Sequence, residues 1–397
     1  MKKSLSWIAI VFSCCFLASC SYIDKLKFWG DGEDLTQPAT PLKEIDESVE
    51  LQQRWNEKAG DGNDELYVRL LPAIAGERIF VVDASGDLFA LNKKTGQRVW
   101  EHEIDQRITG GVGILADELL LVGSEDGEVL AYQQKDGSEA WRAQLSSEIL
   151  AAPLGSSTES ADHIIAFAGD NTVYGLEVTE GETDWEVKNP MPALVLRGSS
   201  MPLILGEDVV YAGLSNGRVL ALASDTGRRL WEHVVSLPRG RSELQRMVDI
   251  SGKMALVDDT LYVVTYQGRV AALTVATGRE RWQRNMSSYS GVSANADYVT
   301  LSDTDDVVWL LSAPDGSTLW KQEDLMYRVL TAPVFWEDYI VVGDKEGYIH
   351  VFSPADGTII GRVQVDKSGI TVPPMVENGV LYVLANNGRL AAYSIAD

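Results

Sequence analysis

Short apolar runs separated by glycine-bearing turns recur along most of this chain. Residues 79–100, 209–231 and 261–282 each show the same unit: an apolar run, a Gly turn, a second apolar run, a Thr-Gly turn and a short run that ends in tryptophan. Runs of this length that are rich in Val, Ile, Leu and Tyr are typical of β-strands, and the tight turns between them predict antiparallel hairpins. Tryptophan closes the unit at intervals of 38 to 51 residues, at Trp55, Trp100, Trp141, Trp185, Trp231, Trp282 and Trp320.

A repeat of this length decides the fold before any single motif does. The second apolar run of a unit carries apolar residues, such as Val219 and Leu222, at positions that lie on opposite faces of a strand. A sheet that is apolar on both faces must be covered on both, and a small residue such as Ala221 is expected to let a neighbouring sheet approach closely. Sheets stacked radially meet these requirements. Eight units therefore predict an all-β fold over residues 50–397, an eight-bladed β-propeller of four-stranded antiparallel blades.

The two ends of the repeat predict how the ring closes. The last unit ends at Asp397 after its third strand, whereas Trp55 has no blade in front of it. We therefore expect residues near 50–57 to complete the last blade as its outer strand, which also covers two open sheet edges. The position that continues the tryptophan series after Trp320 is Gly361, so one blade interface is expected to pack differently. We interpret the tryptophans as residues that pack at blade interfaces and take no part in chemistry.

The N-terminus predicts export and lipidation. Lys2 and Lys3 precede a short apolar run, which is typical of a secretory signal and too short to span a membrane. The run ends in Leu-Ala-Ser-Cys at Cys20, which resembles the lipobox of bacterial lipoproteins. We expect residues 1–19 to be the signal peptide and Cys20 to carry the lipid.

The residues after the lipidation site predict a tether. Residues 20–49 are polar, acidic and contain two prolines, a composition typical of a flexible linker. Ser21 stands where an aspartate would resemble an inner-membrane retention signal, so an outer-membrane destination is favoured. Cys14 and Cys15 leave with the signal, so the mature chain keeps Cys20 alone and forms no internal disulfide.

Charge and motif content narrow the class of function. The net charge of −24 repels nucleic acid and anionic headgroups, so proteins are the expected partners. The four histidines are spread along the chain, and the Asp-rich turns lack the spacing of a calcium loop. There is no phosphate loop and no Gly-x-Gly-x-x-Gly dinucleotide fingerprint. We predict no catalytic residue, no metal and no cofactor.

The Thr-Gly turns before the tryptophans leave one enzymatic alternative open. They resemble the turns of quinoprotein dehydrogenases, which are eight-bladed propellers that use the quinone PQQ. That resemblance implies a PQQ-dependent periplasmic enzyme as the alternative function. Those enzymes resemble one another in a vicinal disulfide over the quinone, and the mature chain cannot form that disulfide. The shared turn is a packing device and carries no catalytic information.

One long loop interrupts the repeat after Trp231. Residues 237–254 fall in the longest interval between tryptophans, and Ser242 to Met247 are expected to form one helical turn. The loop groups three arginines in an otherwise acidic chain: Arg239, Arg241 and Arg246. Long loops on a rigid scaffold are where binding residues concentrate.

A second irregular segment precedes the fourth blade. Residues 189–202 place Leu194, Leu196 and Arg197 between prolines. Apolar residues beside arginine are typical anchors of protein interfaces. The same residues also fit an inner strand of blade four followed by a solvated arginine, and the residues alone leave both interpretations open.

The lipobox, the tether, the eight repeats and the two loops together resemble the BamB family, the lipoproteins of the bacterial β-barrel assembly machinery. The resemblance covers the mature chain and is most specific at residues 191–198, 242–249, 328–352 and 386–394. In that family a Leu-x-Leu-Arg segment and a neighbouring Asp-bearing loop contact the POTRA domains of BamA. The implied partner-binding residues are Leu194, Leu196, Arg197 and Asp249, to which the basic loop adds Arg246. The family pattern continues Asp-x-Asp, whereas this chain has Ser251.

The resemblance implies a scaffold without enzymatic activity. The lipid on Cys20 would hold the propeller at the periplasmic face of the outer membrane. There it would bind the POTRA domains of BamA within the BAM complex and assist the folding and insertion of outer-membrane proteins. Direct contact with nascent outer-membrane proteins stays open.

Overall fold

The computed structural model describes residues 38–63, 68–116, 118–157, 162–196, 203–205 and 208–396. The predicted signal peptide, Cys20, most of the predicted tether and Arg197 lie outside these residues. Ala39–Asp397 form one compact unit.

Eight four-stranded antiparallel sheets, the blades, account for nearly all regular structure of the described residues. Blades 1 to 4 consist of Ala73–Ala75, Arg78–Val82, Asp87–Asn92 and Arg98–Glu103; Ile108–Leu115, Leu119–Ser124, Glu128–Gln133 and Glu139–Gln144; Leu154–Ser157, Asp162–Phe167, Val173–Glu177 and Thr183–Val187; Leu203–Leu205, Val209–Gly213, Arg218–Ala223 and Arg229–Val234. Blades 5 to 8 consist of Ala255–Val257, Thr260–Val264, Arg269–Thr274 and Glu280–Asn285; Val292–Ala294, Tyr298–Ser302, Val308–Ser312 and Thr318–Gln322; Val334–Trp336, Tyr339–Gly343, Tyr348–Phe352 and Ile359–Gln364; Met375–Glu377, Val380–Leu384, Arg389–Ile395 and Leu51–Lys58. The prediction of an eight-bladed propeller is confirmed.

Blade 8 is built from both ends of the repeat, as the sequence predicts. Its outer strand, Leu51–Lys58, pairs antiparallel with Arg389–Ile395, and Trp55 lies opposite Ala392. The N-terminal strand thus closes the ring by hydrogen bonds to the last strand of the chain, and the edge of that last strand is covered.

Within a blade, the small residues of the third strand make room for the tryptophan of the outer strand. Ala221 pairs directly with Trp231, and Gly175 pairs with Trp185. The same pairing of tryptophan with alanine recurs in blades 1, 2, 5 and 8. The sequence suggests that these small residues let a neighbouring sheet approach. The structure shows a more specific role, which is to make room for the tryptophan of their own blade.

Each tryptophan also joins its blade to the next one. The indole ring packs on the glycine of the turn before the outer strand of the next blade, so tightly that a Cβ on that glycine would lie closer than 3.0 Å to the ring. The indole Nε1 donates a hydrogen bond of 2.6 to 3.1 Å to a carbonyl of that next blade. The pairs are Trp55 with Gly96, Trp100 with Gly137, Trp141 with Gly181, Trp185 with Gly227, Trp231 with Gly278, Trp282 with Gly316 and Trp320 with Gly357. The interpretation of these tryptophans as packing residues at blade interfaces is confirmed.

The interface between blades 7 and 8 is the exception that Gly361 predicts. A Cβ on Gly361 would lie 2.7 Å from the carbonyl oxygen of Val49, because the N-terminal segment passes there on its way into blade 8. The amides of Ser48 and Val49 donate to the Ile360 carbonyl at 2.9 and 3.0 Å. An indole at position 361 would collide with this segment. The fully buried Trp336 bridges the two blades instead, with Nε1 donating to the Gly379 carbonyl at 3.0 Å.

The segment before blade 8 is held against blade 7 from Thr40 onward. The Thr40 amide donates to the Met326 carbonyl at 3.1 Å, and the Thr40 carbonyl accepts from Arg328 at 3.0 Å. Arg362 donates to the Lys43 carbonyl at 2.9 Å. The last part of the predicted tether, residues 40–49, therefore packs on the propeller, which differs from the expectation of a flexible linker up to residue 49.

Helical structure in the described residues amounts to one 3-10 turn, Leu244–Arg246, inside the expected turn at 242–247. No helix of the described residues is long and apolar enough to cross a membrane.

Candidate partner-binding site

A hydrogen bond between described residues joins the two irregular loops. The backbone amide of Leu196 donates to the carboxylate Oδ1 of Asp249 at 2.9 Å, across 53 positions of sequence. Asp249 lies in the buried run Met247 to Ile250, and Ile250 packs in the apolar core between blades 4 and 5. The loop before blade 4 is thus tied to the loop before blade 5, and the two predicted segments form one surface.

Asp249 is an internal group of this surface. Its side chain is 1% exposed, and its second oxygen, Oδ2, has no hydrogen-bond partner among the described residues. Burial raises the pKa of Asp249 to about 6, against a smaller opposing effect of the Leu196 amide. The sequence suggests Asp249 as a contact residue, whereas in the structure its carboxylate faces the Leu196 backbone and positions the loop that carries Leu194.

Leu194 points its side chain to solvent. It is 42% exposed, the neighbouring Met191 is exposed as well, and Leu196 is half-buried. Residues 188–196 form no strand, and the inner strand of blade 4 begins later, at Leu203–Leu205. The alternative that Leu194 and Leu196 form this inner strand is therefore wrong.

The basic loop adds a second exposed face. Leu244 and Arg246 belong to the 3-10 turn, and both side chains are exposed. The Arg246 guanidinium lies 3.5 Å from the Glu243 carboxylate. Arg239 and Arg241 are exposed and make no ion pair within the described part of the chain. The loop therefore offers apolar and cationic side chains together.

Ser251 faces the central channel of the ring. Its hydroxyl donates to the Tyr289 carbonyl at 3.3 Å, and its own carbonyl accepts from Arg69 at 3.2 Å. Arg69 also donates to the Tyr289 carbonyl at 2.8 Å. The segment before blade 1 is thus linked through Arg69 to the segments before blades 5 and 6. Ser251, the position at which the resemblance implies aspartate, thus lines the channel in this chain.

Two cavities lie in the channel on either side of Arg69. The first, the channel mouth, has a volume of about 830 Å³ and is lined by Leu196, Val329 and Leu330 together with polar groups such as Asn63 and Ser251. The second, the far chamber, has about 910 Å³ and includes Val376 of blade 8. Because Leu196 lines the channel mouth, the mouth is continuous with the surface that carries Leu194.

Sequence reasoning misses the residue that lines the mouth opposite this loop. Val329 has φ +54°, a left-handed conformation that β-branched residues rarely adopt. The amides of Val329 and Leu330 donate to the two carboxylate oxygens of Asp306 at 2.8 and 2.7 Å. Burial raises the pKa of Asp306. The sequence signal nearest to it is Asp306, which stands at a turn of blade 6 where most other blades have glycine, and this replacement alone indicates a turn.

A buried ionic network in blade 7 holds the N-terminal segment. Arg328 donates through Nε to Asp344 at 2.7 Å, and His350 Nε2 lies 3.0 Å from the same carboxylate. Arg362 donates to His350 Nδ1 at 3.2 Å, so this ring nitrogen is an acceptor and Nε2 carries the proton. Burial lowers the pKa of His350. Among the described residues, no group of three or more His, Cys, Asp or Glu is arranged to hold a metal ion.

The blade repeat, the tryptophan contacts and the ring closure define a class, the eight-bladed β-propellers with quinoprotein-like repeats. A quinohaemoprotein alcohol dehydrogenase from Comamonas testosteroni has the same fold, with a TM-score of 0.69, 12% identity, and coverage of 87% of this chain and 76% of that one. The crystal structure of BamB from Moraxella catarrhalis matches with a TM-score of 0.79 and 30% identity over 87% of this chain and 99% of that one. The first likeness concerns the fold alone.

Sequence comparison identifies the family. The family model described as outer membrane protein assembly factor BamB matches residues 44–109, 90–322 and 311–397. The assembly factor BamB of Pseudomonas aeruginosa is 39% identical over 90% of this chain and 93% of its own length, and that of Legionella pneumophila is 34% identical over 98% and 99%. The chain belongs to the BamB family of outer membrane protein assembly factors.

Proposed function

We propose that this propeller is a scaffold of outer-membrane protein assembly that binds the POTRA domains of BamA. The binding face is the surface around Leu194, with Leu196, Arg197, Arg246 and the positioning residue Asp249. One observation carries the proposal: the Leu196–Asp249 hydrogen bond joins the two segments that the family resemblance implicates into one surface.

The chemistry of this surface suits a protein partner. Leu194 supplies an exposed apolar side chain, and the 237–246 loop supplies arginines in a chain of net charge −24. Burial of one leucine at an interface is worth roughly 1.5–3 kcal/mol, about 10- to 150-fold in affinity. A complementary partner would offer an apolar patch with acidic groups at its edge.

We propose a scaffold without enzymatic activity, held at the periplasmic side of the outer membrane by a lipid on Cys20. The named relatives are assembly factors, and this supports the role directly. The likeness to the alcohol dehydrogenase extends to the fold, and one fold hosts many unrelated functions.

The test is a binding measurement between the purified propeller and the purified POTRA domains of BamA. Leu194→Asp is compared with Leu230→Asp, because the two leucines are 42% and 40% exposed and Leu230 lies on the outer strand of blade 4. We expect Leu194→Asp to weaken binding at least about tenfold. Leu230→Asp should bind like the parent chain, and both variants should melt like it. Parent-like affinity of Leu194→Asp, or no binding by the parent, would contradict the proposal.

A further inference from the structure

Val329 presents an apolar side chain to solvent from a backbone conformation that valine avoids. The residue is 39% exposed and has φ +54°. A side chain branched at Cβ is strained in this region, whereas glycine adopts it freely and asparagine adopts it readily. A strained residue persists where its surroundings determine it, and such residues cluster at functional sites.

The surroundings explain the backbone of Val329. Arg328, the preceding residue, is fully buried and donates to Asp344 and to the Thr40 carbonyl. Asp306 accepts the amides of Val329 and Leu330. These contacts turn Arg328 into the protein and Val329 out of it. They hold the backbone of this segment in place, and none of them involves the valine side chain.

The loop that carries Leu196 also lines the channel mouth. It is held in the same way as the segment that carries Val329. A buried carboxylate, Asp249, accepts the Leu196 amide, as Asp306 accepts the amide of Val329. Leu196 and Val329 line the same cavity of about 830 Å³. Two buried aspartates thus fix two loops so that one aliphatic side chain from each faces the channel mouth.

We propose that Val329 is a second partner contact, and that the surface around Leu194 continues across the channel mouth to it. The occupant is a loop of the protein that binds at Leu194, which inserts an apolar side chain between Leu196 and Val329. The polar groups of the cavity, such as Asn63 and Ser251, then face the backbone of that loop. This inference rests on the proposed function and adds a part of the interface that the irregular loops do not reveal.

The test separates the valine side chain from its backbone. Val329→Gly and Val329→Asn keep the left-handed conformation and the contacts of Asp306 and Arg328, and they remove the aliphatic group. We expect both variants to melt at or above the temperature of the parent chain. Their affinity for the purified POTRA domains of BamA should fall about fivefold to tenfold. The control is Val376→Ala, which removes a side chain of similar exposure, 37%, in the far chamber and should leave the affinity unchanged.

The outcomes distinguish this inference from the proposed function. If both Val329 variants bind like the parent while Leu194→Asp is weakened, the inference is overturned and the proposed function stands. If the parent itself does not bind the POTRA domains, both are overturned. Lower melting temperatures in both Val329 variants would show that the fold needs the valine side chain, and this result would also overturn the inference.

Discussion

Asp249→Asn is a direct probe of the buried carboxylate that joins the two loops. Burial raises the pKa of Asp249 from 3.8 to about 6, and a difference of two pKa units corresponds to roughly 3 kcal/mol. The unfolded chain titrates near the lower value, so folding favours the protonated group. The stabilisation that protonation provides is therefore complete below about pH 4 and is lost as the pH rises through 6.

Asparagine keeps an oxygen for the Leu196 amide and does not titrate. The free energy of unfolding of Asp249→Asn minus that of the parent should therefore increase by about 2 kcal/mol from pH 4.5 to pH 8. Urea unfolding followed by tryptophan fluorescence at the two pH values measures this change. Asp338→Asn, at an exposed turn of blade 7, is the matched control and should show no such change. An equal free-energy difference at both pH values for Asp249→Asn would refute the reasoning.

We expect the affinity for the partner to depend on the hydrogen-bond acceptor of Asp249 and not on its charge. Asp249→Ala leaves the Leu196 amide without its acceptor, so the loop that carries Leu194 loses its anchor. We expect affinity for the POTRA domains to fall about tenfold in Asp249→Ala and to stay near the parent value in Asp249→Asn. Equal affinities of the two variants would show that the hydrogen bond does not position the loop.

Three further predictions concern the fold, the anchor and the enzymatic alternative. Gly316→Ala should lower the melting temperature by about 1–4 °C more than Gly76→Ala by differential scanning calorimetry, because its Cβ would lie 2.6 Å from the Trp282 ring whereas nothing lies within 4 Å of Gly76. Both glycines have positive φ, so an equal effect would argue against the tryptophan contacts. Cys20→Ala should move the protein from carbonate-washed membranes to the soluble periplasmic fraction, and retention in the membranes would contradict lipidation there. Incubation with PQQ and calcium should give neither a quinone absorbance nor dye-linked alcohol oxidation, and activity would reverse the proposed scaffold role.

The repeat is enough to predict the blades, the closure by residues near 50–57 and the exceptional interface at Gly361. Each of these depends on residues at fixed spacing, so one chain shows them without any knowledge of distant contacts. The packing of the seven repeat tryptophans follows for the same reason, since each of them contacts the turn glycine of the next unit.

The candidate site is less accessible to sequence reasoning because its loops have no periodicity. The sequence suggests Asp249 as a contact, and only the three-dimensional environment shows that its carboxylate is buried against the Leu196 amide. Val329 lies in a segment whose backbone is determined by Asp306 and by the network around Arg328. These contacts join residues that are far apart or irregularly spaced along the chain, so no local sequence pattern predicts them.

The most direct test of the proposed binding face is photo-crosslinking in the intact outer membrane. A photoreactive amino acid replaces Leu194 in one variant and Leu230 in the other, because the two positions are similarly exposed. We expect a crosslink to BamA at position 194 and none at position 230. A crosslink to BamA at 230 but not at 194 would contradict the assignment of the Leu194 surface as the partner-binding face.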